Sequence, residues 1–269
     1  MNWFLTSLFG LLFWPFQGLD PVWALVFVSF LCGLLMVWIF GKVSNQEAIR
    51  RVKNKIRGNL LGVRLYQHDV RIVLRLQGRI LRDTLTYMNY SIIPMLVLIV
   101  PLLLIIVQLN LHFSLRPLKP GESAVLKARL IQTAVWQENI SLENPSGVKV
   151  ETPGVRIDSE GEVAWRIRAR QPGRHLLTVR VGEQTVEKEL YVGDRWGAVS
   201  ALRSNSLLDL LLYPGEAPID ASEKVKSIEV QYRPLPISIW GWNVHWLVLF
   251  FVLSILVAFI FKGAFGVEL

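Results

Sequence analysis

The sequence predicts an α+β membrane protein, with transmembrane helices carrying a basic helical hairpin on one side of the bilayer and a β domain on the other. Three observations predict it. Hydrophobic residues make up 52% of the 269-residue chain and charged residues only 19%, the apolar excess gathering in long uncharged runs. The basic surplus sits in one loop between two of those runs. The segment before the last run alternates apolar and polar residues with the period of a strand.

The first element, 1–19, contains no charged side chain. It lacks the basic start and small-residue cleavage site of a signal peptide, so an interfacial helix on the outer face is expected. Pro15 and Gly18 then turn the chain into a first transmembrane helix, 20–41. Its centre, "VWALVFVSFLCGLLMVWIF", is uncharged over 22–40, about 28 Å as a helix and so a match for a bilayer core. The uncharged stretches 84–115 and 234–261 supply a second helix, 89–111, and a third, 237–262, leaving 263–269 as a tail. Trp23, Trp38, Tyr87, Tyr90, Trp240, Trp242 and Trp246 stand near the ends of these runs as interfacial anchors. Cys32 lies mid-span with no second cysteine to pair with, which gives it a packing role.

The loop 42–88 carries eleven Lys/Arg against Glu47, Asp69 and Asp83, a surplus equal to the whole formal net charge of +8. The segment 112–236 carries 17 basic and 16 acidic residues, which nearly cancel. Positive residues favour the inner side, so the loop is placed in the cytoplasm, the N-terminus and 112–236 outside, and the C-terminus inside, in a prokaryotic cytoplasmic (inner) membrane. Ile49, Val52, Ile56, Leu60 and Val63 are spaced 3, 4, 4, 3, the stripe of a short coiled coil. "YQHD" is the corner of a hairpin, with Asp69 as N-cap of the second arm, although Gly58, Gly62 and Gly78 weaken both arms. In that arm, "VRIVLRLQGRILRDTL", Arg71, Arg75, Arg79 and Arg82 fall within an arc of roughly 80°, with Val73, Leu76, Ile80 and Leu81 on the far side. The arm runs on into the second span, where Pro94 and Pro101 predict kinks.

Arg50, Lys53, Arg57, Arg64, Arg71, Arg75, Arg79 and Arg82 form a candidate docking face along the two arms. They suit anionic lipid headgroups, a ribosome or an acidic protein face. Their plainer role is to hold the loop inside. The face has no interleaved aromatic residues for base stacking, which argues against DNA as a partner.

In the outer segment, "GEVAWRIRAR" places Val163, Trp165, Ile167 and Ala169 on one face and Arg166, Arg168 and Arg170 on the other. "HLLTVRV" and "TVEKELYV" follow across the turns "QPGR" and "GEQ", so 162–192 is expected to form a three-stranded antiparallel meander. "SAVLKARL", "GVKVE" and "KVKSIEVQYRP" supply further strands. "NSLLDLLLYPGE" reads as a short helix stopped by Pro214. Six or more short strands around an inward Trp165 predict an immunoglobulin-like β-sandwich without its disulfide.

Nothing in the sequence assembles a catalytic constellation. His68, His112, His175 and His245 fall in different compartments, so neither a metal site nor a nucleophile and base is expected, and no cofactor. "DSEGE" at 158–162 reads as a hairpin turn, being too short for a calcium loop. Ser29, Asn89, Ser91, Gln108 and Ser254 are polar residues within the spans. They supply hydrogen bonds between helices or, together, a partly hydrated polar groove.

The order of outer N-terminus, first span, basic cytoplasmic hairpin, proline-bearing second span and returning third span resembles the minimal core of the YidC/Oxa/Get insertase superfamily. The stretches "NQEAIRRVKNKIRG" and "VLRLQGRILRDTLTYMNYSIIPMLVLIVPLLLIIVQL" carry the similarity, together with the first and third spans. The resemblance implies a non-enzymatic insertase or chaperone-like factor whose partners are membrane lipids and membrane-protein clients. The alternative is a structural or scaffolding subunit of a larger membrane complex, binding partners through its outer β domain.

Overall fold

The computed structural model describes residues 2–131, 138–143, 146–220, 222–239 and 241–267. The chain is α+β. Its helices are α1 (Asn2–Phe13), α2 (Pro21–Val43), α3 (Gln46–Leu65) and α4 (Val70–Phe113), followed later by α5 (Leu207–Leu212) and α6 (Trp246–Phe261). The strands lie between Phe113 and Trp246. They are β1 (Leu115–Arg116), β2 (Ser123–Leu130), β3 (Ile140–Leu142), β4 (Val148–Val150), β5 (Val155–Ile157), β6 (Glu162–Ala169), β7 (Gly173–Val181) and β8 (Gln184–Val192). After them come β9 (Leu202–Ser204), β10 (Val225–Val230), β11 (Arg233–Pro234), β12 (Ser238–Ile239) and β13 (Trp242–Asn243). Two compact units result, one of 25–104 with 247–269 and the other of 1–24 with 105–246.

Among the described residues, two helices are long and apolar enough to cross a membrane, α2 and α4. α2 starts where Asp20 accepts a 2.9 Å hydrogen bond from the Val22 N–H, with Pro21 at its first position. α4 runs for 44 residues with Pro94 and Pro101 inside it, a length of about 66 Å. α6 is shorter than the sequence predicts. It has 16 residues, and the run expected to be helical from 237 first forms the antiparallel pair β12–β13.

In the helical unit, α2 and α6 meet at Gly33, where a Cβ would stand 2.7 Å from the Ser254 carbonyl oxygen and 2.9 Å from Val257 Cβ. Only a glycine lets the backbones come this close. α3 and α4 form the expected hairpin. Asn45 caps α3 by accepting from the Ala48 N–H at 3.0 Å, and Asp69 caps α4 by accepting from the N–H groups of Arg71 and Ile72 at 3.0 and 3.1 Å.

The seam between these arms differs by one position from the predicted stripe. Leu60 is 53% exposed, and Asn59 takes its place, donating to Asp83 at 3.2 Å. Positions 49, 52, 56, 59 and 63 on α3, all buried or half-buried, therefore follow alternating steps of 3 and 4 that stay on one seam, whereas position 60 lies about 100° round the helix from 59. On α4, Val73, Leu76, Ile80 and Asp83 face the seam with intermediate or full burial. Leu81, expected beside them, is 63% exposed.

The β unit holds two main sheets. One runs β4–β6–β2–β10–β9 with β5 also on β6, and the other runs β3–β7–β8, all pairs antiparallel. The expected meander is therefore broken between β6 and β7. β6 has β2 on one edge and β4 and β5 on the other, so neither edge is open to β7, and the chain crosses to the second sheet instead. The two sheets share one core, with Leu126, Ala128, Trp165 and Ile167 from the first and Leu177, Val179, Val186 and Leu190 from the second. Trp165 is 3% exposed, in agreement with the alternation in its strand. The turn at 158–161 joins β5 to β6, as "DSEGE" predicts.

The N-terminal helix belongs to this same unit. Phe13 is buried among His112, Phe113 and Trp196, with ring centroids 4.9, 5.3 and 5.9 Å away. Trp196 donates its indole N–H to the Leu19 carbonyl at 2.9 Å. Of the expected anchors, Trp23, Trp38 and Trp242 are exposed, whereas Trp246 is 5% exposed and its indole N–H has no hydrogen-bond partner among the described residues. Trp240 lies outside the described residues.

Candidate functional site

The basic hairpin is the most strongly charged surface of the chain, and its geometry follows from the two caps and the seam. Arg71, Arg75, Arg79 and Arg82 are all exposed on the outer side of α4, as are Arg50, Arg57 and Arg64 on α3, while Lys53 is half-buried. The hairpin's three carboxylates are engaged elsewhere. Glu47 pairs with Arg51 at 2.9 Å, Asp69 caps α4, and Asp83 is buried against Asn59. No described carboxylate forms an ion pair with Arg57, Arg64, Arg71, Arg75, Arg79 or Arg82.

A second feature of the face was missed by the sequence reading. Val70, Leu74, Leu81 and Leu85 are 69, 63, 63 and 58% exposed. On the helical wheel they form a stripe roughly 100° from the arginines, on neither the seam nor the basic arc. α4 thus has three faces before it enters the apolar run: a packed seam, a basic arc and an open leucine stripe. The spacing of 4, 7 and 4 between these residues is the signal in the sequence, and grouping Leu81 with Val73, Leu76 and Ile80 hides it.

Of the polar residues of the spans, Ser29 and Ser254 meet. Ser254 donates to the Ser29 carbonyl at 3.2 Å, and Ser29 donates to the Leu25 carbonyl at 2.6 Å, so these two join α2 to α6. Ser91 bonds to the Tyr87 carbonyl of its own helix at 3.0 Å, and Asn89 is exposed. Gln108 belongs to the β unit, where it donates to Thr6 at 3.4 Å and keeps a buried, unpartnered side-chain oxygen. Among the described residues, no group of three His, Cys, Asp or Glu is placed to hold a metal ion.

The β unit contains a charged pair that the sequence does not announce. Lys188 lies on the inward face of β8 between Val186 and Leu190, fully buried, and pairs with Glu216 while donating to the Ser200 carbonyl at 2.8 Å. Burial pushes its ammonium below the ordinary lysine range, and Glu216 opposes that shift. Near the start of β2, Arg116 grips Glu122 with two hydrogen bonds of 2.8 Å and Arg233 adds a contact at 2.9 Å. The Arg116 hydrogen bonds lead in holding the Glu122 carboxyl down to about 2.

No protein-family model, no curated protein and no solved structure matches the chain.

Proposed function

We propose that the chain is an integral membrane protein that assists the insertion or assembly of other membrane proteins without catalysing a reaction. α2, the outer half of α4 and α6 are its three spans, the hairpin is cytoplasmic, and the strands form an outer immunoglobulin-like domain with the layout of the YidC/Oxa/Get superfamily. The observation that carries this reading is the open leucine stripe beside unanswered arginines on α4. A surface both apolar and cationic suits a client whose apolar segment is flanked by acidic residues, or a ribosome delivering one.

Photo-crosslinkers at Leu74 and Leu81 in native membranes test it. Nascent membrane proteins and ribosomal components should be captured, and capture of neither would overturn the reading. Topology has its own check. Cysteines at Lys55 and Gln77 should resist an impermeant thiol reagent in intact cells while one at Thr185 reacts, and reversed labelling would place the hairpin outside.

The scaffolding alternative has one observation in its favour. Leu207, Leu208, Leu211 and Leu212 of α5 are 79, 71, 54 and 53% exposed, an apolar patch on the β unit. Crosslinkers at Leu208 that capture one fixed set of membrane-complex subunits, with none captured at Leu74, would favour it.

A further inference from the structure

Nine of the 17 lysines and arginines of 112–236 pair with a described carboxylate. Glu122 answers Arg116 and Arg233, Glu162 answers Lys127 and Arg129, and Glu151 answers Arg166 and Arg168. Arg180, Lys188 and Lys224 pair with Glu143, Glu216 and Glu138. Arg174 and Arg195 are among the others, and they share a cavity of about 300 Å³. Neither has a carboxylate partner among the described residues.

That cavity is built where α1 lies against the β unit. Thr6 and Gln17 contribute from the N-terminal segment, His112 from the last turn of α4, and Phe13 and Trp196 supply aromatic walls. Among the described residues, none that lines it is acidic. Arg174 is held in place over the Tyr191 ring, 5.7 Å from its centroid. A neighbouring cavity of about 260 Å³ shares Thr6, Arg174, Tyr191 and Ala198, but Glu189 lines it as well, so an anion is favoured in the first.

We propose that the cavity binds a phosphate group, most simply the phosphodiester headgroup of an anionic phospholipid. Two guanidiniums, a hydroxyl and an amide present N–H and O–H donors without a competing carboxylate, the donor set that phosphate oxygens require. The cavity lies at the depth of headgroups if α4 crosses the bilayer as proposed above, because His112 ends that helix. Leu11 and Trp14, 72 and 70% exposed on the adjoining N-terminal segment, offer apolar surface beside which acyl chains can lie. Free phosphate esters carry the same chemistry and need no membrane, so the two sources separate experimentally.

The test uses the full chain in mild detergent, with dioleoyl phosphatidylglycerol, dioleoyl phosphatidylcholine or sn-glycerol 3-phosphate added, and native mass spectrometry to count bound molecules. Phosphatidylglycerol should bind in preference to phosphatidylcholine. The double variant Arg174→Gln/Arg195→Gln should lose this binding about tenfold or more, as the loss of two charge-assisted contacts requires. Arg170→Gln, an exposed arginine outside the cavity, should leave it unchanged. Arg174→Lys/Arg195→Lys keeps the charge and should restore part of it, which guards against simple misfolding. Binding of glycerol phosphate that the double variant also loses would assign the site to free phosphate esters. Equal retention of phosphatidylglycerol by the wild type and the double variant, or binding of none of the probes, would overturn the proposal.

Discussion

The hairpin and the β unit are both rich in arginine, yet they use it in opposite ways. In the β unit, acidic and basic residues nearly balance, and six of the eleven arginines of 112–236 pair with a carboxylate, as Arg129 does with Glu162 at 2.6 Å and Arg168 with Glu151 at 2.7 Å. In the hairpin, eleven basic residues meet three acidic ones, and those three cap a helix, pair on their own turn or face the seam. The first set of charges is part of the fold. In the second, Arg57, Arg64, Arg71, Arg75, Arg79 and Arg82 have no carboxylate partner among the described residues, so these charges are not part of the fold's own pairing.

That difference is broken most severely from inside the β unit. Trp165→Ala, in the shared core, should destabilise the chain by about 3–5 kcal/mol, seen as a lower melting temperature of the purified protein in detergent. An unchanged melt would mean that the core of the two sheets does not carry the unit's stability. Glu216→Ala should come close behind, at about 3–5 kcal/mol, because it strands the fully buried Lys188 ammonium without its partner. Lys188→Met combined with Glu216→Met should recover much of that loss, since replacing both charges removes the desolvation cost as well as the attraction. A double variant no better than Glu216→Ala would show that the pair does more than balance itself.

Acid should act next. The Glu122 carboxyl, 11% exposed at its side chain, is held down to about 2 by the Arg116 guanidinium against a starting value of 4.5. A depressed carboxyl stabilises the folded chain fully above its unfolded value and loses that contribution as pH falls. Glu122 should therefore contribute on the order of 3 kcal/mol at neutral pH, fading between about pH 4.5 and 2. Glu122→Gln should flatten the acid limb of a melting-temperature profile over that window, and a profile that keeps its wild-type slope would remove Glu122 from the account.

Local signals made much of this legible. The Asp69 cap, the corner before it, the alternation through Trp165 and the short α5 all follow from a few neighbouring residues, and each stands where the sequence puts it. What was not legible depends on distant partners. The crossing from β6 to β7 is decided by β2 and β4 occupying both edges of β6, which no reading of 162–192 contains. Lys188 alternates inward like a core residue, but its counter-charge stands 28 positions away in a loop. The cavity of Arg174 and Arg195 needs α1, some 160 residues upstream, to form its wall. At the hairpin, the arginine arc follows from the helical period alone, whereas the leucine stripe is left open because the seam runs through Asn59 and Asp83.

The smallest effect on the fold should come from the arginines of α4. Replacing Arg71, Arg75, Arg79 and Arg82 with glutamine removes four exposed charges that no described carboxylate holds, so the melting temperature should stay within the change typical of surface substitutions, about 0.5 kcal/mol. Orientation should also survive, because Lys42, Arg50, Arg51, Lys53, Lys55, Arg57 and Arg64 still mark the loop as internal. Binding is where the four should tell. Each basic residue near an anionic surface contributes about 1 kcal/mol, so binding of the chain to ribosomes or anionic vesicles should weaken by up to a few hundredfold. The loss should shrink in higher salt, as screening shortens the reach of each charge to about 10 Å at 0.1 M. Leu74→Ser/Leu81→Ser, on the adjoining stripe, should weaken client crosslinking with little dependence on salt, which separates the apolar contribution from the ionic one. Ribosome and vesicle binding unchanged by the four glutamines at low salt, with topology intact, would reduce the arginines to topology markers and leave the leucine stripe as the face of α4 that meets a client.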